Sequence, residues 1–176
     1  MAKTLDLRKY QEDILVRIKD QTRSADASAR SRLGVRAGDD LLLVGLEDVS
    51  EVLPVPEIHP VPLSKPWFIG MANVRGNLYG VSDIAQFAGQ ARTITTAASR
   101  ILLTHQKYKA NAALLVNAIL GLRALDQMEE QAGKAEPGSW RGGRVFRDAA
   151  GDTWQEIDIK TLLATSEFMK VGLAQS

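Results

Sequence analysis

The sequence predicts a mainly β fold built from small barrels, and three observations carry that reading. Short apolar runs of strand length recur along the chain, Gly, Pro and Asp punctuate them, and the crossover helices that a parallel sheet needs are missing. With 176 residues and 45% hydrophobic side chains, the chain suffices for one domain or for two small barrels sharing a core.

The elements follow in order. Leu7, Tyr10, Ile14 and Ile18 fall on one side of an amphipathic helix over residues 5–20, with Leu15 beside them and an Asp13/Arg17 pair elsewhere on its surface. DQTRSADASARSR has almost nothing large and apolar to bury, so it is either a linker or a polar extension of that helix. The globular part is expected to begin near Leu33, with LGVRA, a turn at Gly38-Asp39-Asp40, LLLVG and VSEVLPV as short strands. PVPEIHPVPLSKP is a loop, because each proline removes a ladder donor. Trp67 to Met71 is predicted as a short helical turn, NLYGVSDI as a strand, and FAGQARTITTAAS as a connection. RILLTHQ, a polar turn at KYKAN, AALLVNAILGLRAL and a hairpin around Ala150-Gly151-Asp152 continue the β pattern. Residues 126–142 read as a long mobile loop that breaks the core, and IDIKTLLAT as a short C-terminal helix.

Composition narrows the chemistry. There are no cysteines, which excludes disulfides, a thiol nucleophile and a thiolate metal site, and fits a reducing cytosol. Twenty-two Lys+Arg against 21 Asp+Glu leave a formal charge of +1, which gives no general attraction to nucleic acid or anionic lipid. No stretch approaches the roughly 20 apolar residues of a membrane helix, and the charged N-terminus lacks the apolar run of an export signal, so a cytoplasmic protein without membrane insertion is expected.

No motif asks for catalysis. The two histidines, His59 in the Pro-rich loop and His105 in an apolar strand, have no metal-site spacing. Glu47, Asp48 and Glu51 cluster near one strand and Asp83 follows NLYGVS, but acid–base work needs converging groups, so solvated or capping acids are the expectation. No nucleophile elbow or phosphate-cradling loop occurs, and no cofactor, metal or catalytic residue is assigned. Lys134, Arg141, Arg144 and Arg147, interleaved with Trp140 and Phe146, outline a nucleic-acid surface that Glu136 and Asp148 dilute.

The densest signal is VPLSKPWFIGMANVRGNLYGVSDI. Pro62 and Pro66 stiffen its entry, Trp67 and Phe68 supply apolar area, Gly70 and Gly76 permit unusual backbone, and Arg75 presents a fixed fork of donors. Pro66-Trp67-Phe68-Ile69-Gly70, Asn73-Val74-Arg75-Gly76 and Gly80-Val81-Ser82-Asp83-Ile84 resemble, in order and spacing, the hallmark of the CheW-like adaptor family. Val49-Ser50-Glu51-Val52 upstream looks like that family's Val-x-Glu-Ile strand, and ALLVNAILGLRAL and IDIKTLL resemble its later elements. Departures are Val116-Asn117-Ala118 for the family's Val-Asp-Gly, Gly80 for its proline, and the irregular 126–142 segment. The N-terminal helix and the divergent motifs look more like the type IV pilus, PilI-type members.

The resemblance implies two interleaved SH3-like or OB-like β-barrel subdomains over residues 33–164, after an N-terminal helix and linker (1–32) and before a C-terminal tail (165–176). It implies a non-catalytic scaffold that couples the cytoplasmic tip of a methyl-accepting chemoreceptor to the regulatory domain of a CheA-type histidine kinase in twitching motility. It also implies recruitment to membrane-associated receptor arrays. Val49, Glu51 and Val52 would lie on the partner-facing strand and Arg75 at a position linked with signalling. A flagellar chemotaxis adaptor and a small nucleic-acid-binding barrel are the alternatives.

Overall fold

The computed structural model describes residues 26, 29–132 and 138–173. The helix expected over residues 5–20 lies outside the described residues; Asp26, Ala29 and Arg30 are helical and exposed.

Two mixed sheets make the body. The first, in spatial order β8-β1-β2-β11-β10-β9, takes β1 (Ser31–Ala37), β2 (Asp40–Gly45), β8 (Ala118–Ala124), β9 (Glu129–Gln131), β10 (Val145–Arg147) and β11 (Thr153–Glu156). The second, in order β3-β6-β7-β5-β4, takes β3 (Val49–Pro54), β4 (Phe68–Val74), β5 (Asn77–Asp83), β6 (Arg100–Thr104) and β7 (Ala112–Val116). The chain therefore leaves the first sheet after β2, builds the whole second sheet, and returns between β7 and β8. At that return Asn117 donates its amide to Arg36 O (2.8 Å) and accepts from Gly38 N through Oδ1 (2.7 Å), closing the β1–β2 turn against the crossing. These are the two interleaved β subdomains the sequence pointed to.

The alternation of side chains explains the near-continuous apolar runs. Leu42 and Val44 enter one cluster with Phe68, Leu102, Leu114 and Val116, so both sheets share it, while the intervening Leu43 packs with Phe146 and Trp154 inside the first subdomain. Likewise Ile101, Leu103, Ala113 and Leu115 line the second subdomain's own interior with Val74, Tyr79 and Val81. A strand buried on both faces loses the apolar–polar alternation and reads as LLLV or ILLT.

Three expectations change. Trp67–Met71 is not a helical turn, because β4 starts at Phe68. A register shift between Phe68 and Gly70 interrupts the two-residue period there, and Gly70 has φ 141°. Parallel pairing does occur, once in each sheet, between β2 and β11 and between β5 and β7. No dedicated crossover helix is needed because the connections contain whole strands of the fold. The 126–142 segment contributes β9, which pairs with β10, and Trp140, which meets Phe87.

Short helices close the shared core. In α1 (Ile84–Phe87) and α2 (Ile159–Ala164), Asp83 and Asp158 accept the capping bonds from Gln86 N and Thr161 N. The third, α3 (Ser166–Met169), puts Phe168 parallel to Trp67 at 5.5 Å, with Phe87 edge-on at 5.1 Å. Beyond it, Lys65 N donates to Val171 O and Leu173 N to Leu63 O, both at 2.7 Å. The expected tail is thus folded onto the Pro-rich loop as far as Leu173.

Candidate partner-docking surface

Strand β3 lies at one edge of the second sheet and β4 at the other. Along β3, Val49, Glu51 and Leu53 are half-buried while Ser50, Val52 and Pro54 are exposed. A bulge between Val49 and Glu51 sets Val49 opposite Thr104 and Glu51 opposite Leu103, and Ser50 Oγ makes only long bonds to the Leu103 and Thr104 carbonyls, 3.3 and 3.4 Å. Such a bulge re-aims the side chains beyond it.

The β4–β5 hairpin supplies the partner of Glu51. Val74 pairs with Asn77, leaving Arg75 and Gly76 as a two-residue turn with φ values of 51° and 87°. Positive φ at both central positions is the pattern whose twist matches an antiparallel hairpin. Asn73 Oδ1 accepts from Gly76 N (2.8 Å), and the arginine fork reaches Glu51 in two parallel bonds: Nη1 to Oε2 and Nη2 to Oε1, each 2.6 Å. This ion pair joins the two edge regions of one sheet. Arg75 holds the Glu51 carboxyl below the usual carboxylate range, and Glu51 raises the guanidinium in turn.

Of the four residues the sequence singled out, Glu51 and Arg75 meet directly. Val49 packs against the shared core, and Val52 points to the opposite face from Glu51, 37% exposed. Trp67 and Phe68 are core, as the sequence reading preferred.

The remaining candidates resolve into structural roles. His105 follows β6 and is exposed; its Nδ1 caps the next turn by accepting from Lys107 N, so its place in an apolar strand is corrected. His59 is exposed and bridges to Met71 through its backbone. Among the described residues no group of three or more His, Cys, Asp or Glu could hold a metal. Asp83 is a capping acid but not a solvated one: fully buried, it accepts from Thr93 N (2.6 Å) and Thr93 Oγ1 (2.8 Å) and ties down the loop after α1.

Two arginines of the possible nucleic-acid surface form ion pairs within the chain. Arg141 bonds Asp40 at 2.8 Å, Arg144 bonds Glu156 at 3.2 Å, and Phe146 is buried. Lys134 and Glu136 lie outside the described residues.

One apolar recess is present beside the C-terminal segment. It is open to solvent, holds about 190 Å³, and is lined by Phe68, Ala112, Phe168 and Val171 together with the polar Ser82 and Lys109. No described helix is long and apolar enough to cross a membrane.

Comparison with known proteins agrees with this architecture. A crystal structure of the scaffolding protein TtCheW from Thermoanaerobacter tengcongensis superposes with a TM-score of 0.64 at 17% identity, over 79% of this chain and 94% of that one. Protein PilI of Pseudomonas aeruginosa is 30% identical over 103 residues, 57% of this chain and 57% of PilI, so the match spans little more than half of that relative's length. The family model described as "CheW-like domain" matches residues 32–167, and the chain belongs to that family.

Proposed function

We propose that the protein is a non-catalytic scaffold of chemotaxis-type signalling, coupling the cytoplasmic tip of a methyl-accepting chemoreceptor to the regulatory domain of a CheA-type histidine kinase. Its output is type IV pilus twitching motility, and it works in the cytoplasm at membrane-associated receptor arrays. The bidentate Glu51–Arg75 pair carries this reading, because it ties the edge strand β3 to the β4–β5 turn and joins two of the motifs by which the chain resembles its family. Family membership and the similarity to PilI support the adaptor role and the pilus assignment.

The physical scheme needs no reaction. An edge strand such as β3 offers unpaired backbone groups and a row of outward side chains to a homologous barrel. The apolar recess beside α3 offers a place for side chains of a helical tip. A scaffold that grips both partners transmits receptor rearrangements by favouring one kinase state over another. Val49, Glu51 and Val52 are assigned to the kinase- or receptor-facing strand, and Arg75, which pairs with Glu51, to a position linked with signalling. The proposed boundaries are an N-terminal segment (1–32), the docking domain (33–164) and a C-terminal segment (165–176) that packs back onto that domain as far as Leu173.

Calorimetric titration with the regulatory domain of the cognate CheA-type kinase tests the proposal. Wild type is expected to bind saturably, and Glu51→Ala and Arg75→Ala, checked by circular dichroism, to bind about tenfold more weakly, in the range of a lost charged contact. A folded wild type that does not bind sinks the assignment.

A further inference from the structure

The three-residue turn Leu46–Asp48 carries the chain from β2 of the first sheet to β3 of the second, so its conformation decides where β3 begins. Asp48 is gripped there from three directions, all by the β6–β7 connection. Its Oδ1 accepts from the Tyr108 hydroxyl and pairs with Lys107 Nζ at 2.9 Å, and its carbonyl accepts from His105 N at 2.8 Å. The connection is itself rigidly closed. His105 Nδ1 accepts from Lys107 N (3.0 Å), Lys109 reverses the chain at φ 52°, and Thr104 Oγ1 donates to the Ala110 and Ala112 carbonyls (3.0 and 3.1 Å). Tyr108 packs its half-buried ring on the shared core. Burial first, and the bond to Asp48 second, push its phenol up to about 12, so it remains a donor at any physiological pH.

The grip adjoins an irregularity in the ladder. The bulge between Val49 and Glu51 interrupts pairing at the start of β3, and a one-residue slip there would exchange inward and outward side chains. Glu51 would then turn away from Arg75 and Val52 would turn inward. We infer that Asp48, Tyr108 and Lys107 form a latch that fixes the register of β3 and so positions Val49, Glu51 and Val52 for a kinase regulatory domain. The partner half of this inference rests on the adaptor reading, whereas the latch itself does not. All three latch residues are positioning residues, acting through the strand.

The test uses the full chain with Tyr108→Phe, which keeps the ring and removes the donor, and Lys107→Gln, which keeps length and removes the charge. Amide hydrogen exchange by NMR on the free protein is expected to quicken about tenfold at His105 and along β3, as expected for loss of one charge-assisted bond at a local opening. Leu114 and Leu115 in β7 should be unchanged. Titration with the kinase regulatory domain should show affinity weakened about five- to tenfold for the same variants. If Tyr108→Phe does not fold, Asp48→Asn replaces it. Unchanged exchange at His105 and β3 overturns the latch. Faster exchange with wild-type affinity overturns its positioning role. A wild type that fails to bind overturns the adaptor reading, and the exchange data then decide the latch alone.

Discussion

Arg75 occupies a left-handed conformation that disfavours a residue with a Cβ, at the first position of a two-residue turn where Asn or Gly is the usual choice. Its fork nevertheless reaches Glu51 in two 2.6 Å bonds, so the side chain's position outweighs local backbone preference. Exposed pairs add little to stability. Arg75→Gly should therefore melt at the wild-type temperature or above it, yet bind the kinase regulatory domain as weakly as Arg75→Ala; loss of fold stability with intact binding would reverse the assignment. Glu156 is the contrasting case. It bonds Arg32 at 2.8 Å and Arg144 at 3.2 Å from a half-buried site. Burial alone would raise its carboxyl, but the two guanidiniums more than offset this and hold it below the usual range. Its contribution is complete above the unfolded carboxylate's titration and fades as pH falls through the depressed folded value. Glu156→Gln should cost about 1–2 kcal/mol at pH 7, discounted for partial solvation. Urea unfolding of both proteins should show that gap closing as the pH is lowered through the acid range, and a pH-independent gap would rule the pairs out as its source. Residues 75 and 51 were legible in the sequence because each sits in a motif. Their contact was not, since 24 positions separate them and it takes both the pairing of β3 and the β4–β5 turn to bring them together.

At the scale of elements, strands separated by ordinary turns could be read, as could the apolar runs of β3, β5, β6 and β7. β1 and β2 around Gly38-Asp39 and β10 and β11 around Ala150-Gly151-Asp152 fall where the turn residues place them. β4 was missed because its first residues violate the strand period, and the same violation explains how the Pro-rich loop attaches. His59 and Met71 exchange two backbone bonds, N to O at 2.8 and 2.9 Å, across the edge of β4. A Cβ on Gly70 would lie 2.3 Å from His59 O. Glycine at φ 141° is thus required both by backbone conformation and by the approach of the loop. Gly70→Ala should destabilise by about 2 kcal/mol or more in urea unfolding, with quicker amide exchange at Met71 and His59. A neutral result would mean that the loop is held by the C-terminal strap at Leu63 and Lys65 instead. β9 was hidden for a different reason: EEQ is too short and too polar to read as a strand, as suits an edge that must resist further pairing.

At the scale of the molecule, each of the two subdomains contributes one face of its strands to a shared cluster. Leu102 and Leu114 look into that cluster while their neighbours Leu103 and Leu115 look into the second subdomain alone. The chain path adds to this, since the first sheet is completed only after the second has been threaded between β2 and β8. Composition alone allowed one domain or two barrels, and the reason it could not decide is that the buried area belongs to both. Damage confined to one interior should therefore be felt in the other. Leu103→Ala leaves a cavity in the second subdomain and should cost about 2–4 kcal/mol. Trp154, fully buried in the first subdomain's own interior, is the distant reporter. With 5-fluorotryptophan incorporated, the Trp154 resonance should unfold in urea at the same lowered midpoint as the far-ultraviolet circular dichroism, as a single cooperative transition. Two separated midpoints, with Trp154 keeping the wild-type value, would show that the subdomains are thermodynamically independent. On the proposed adaptor role, a receptor signal arriving at one would then have no packed route to the other. Coincident midpoints give that route a physical basis, because a core close-packed across both sheets passes displacement from one face to the opposite one.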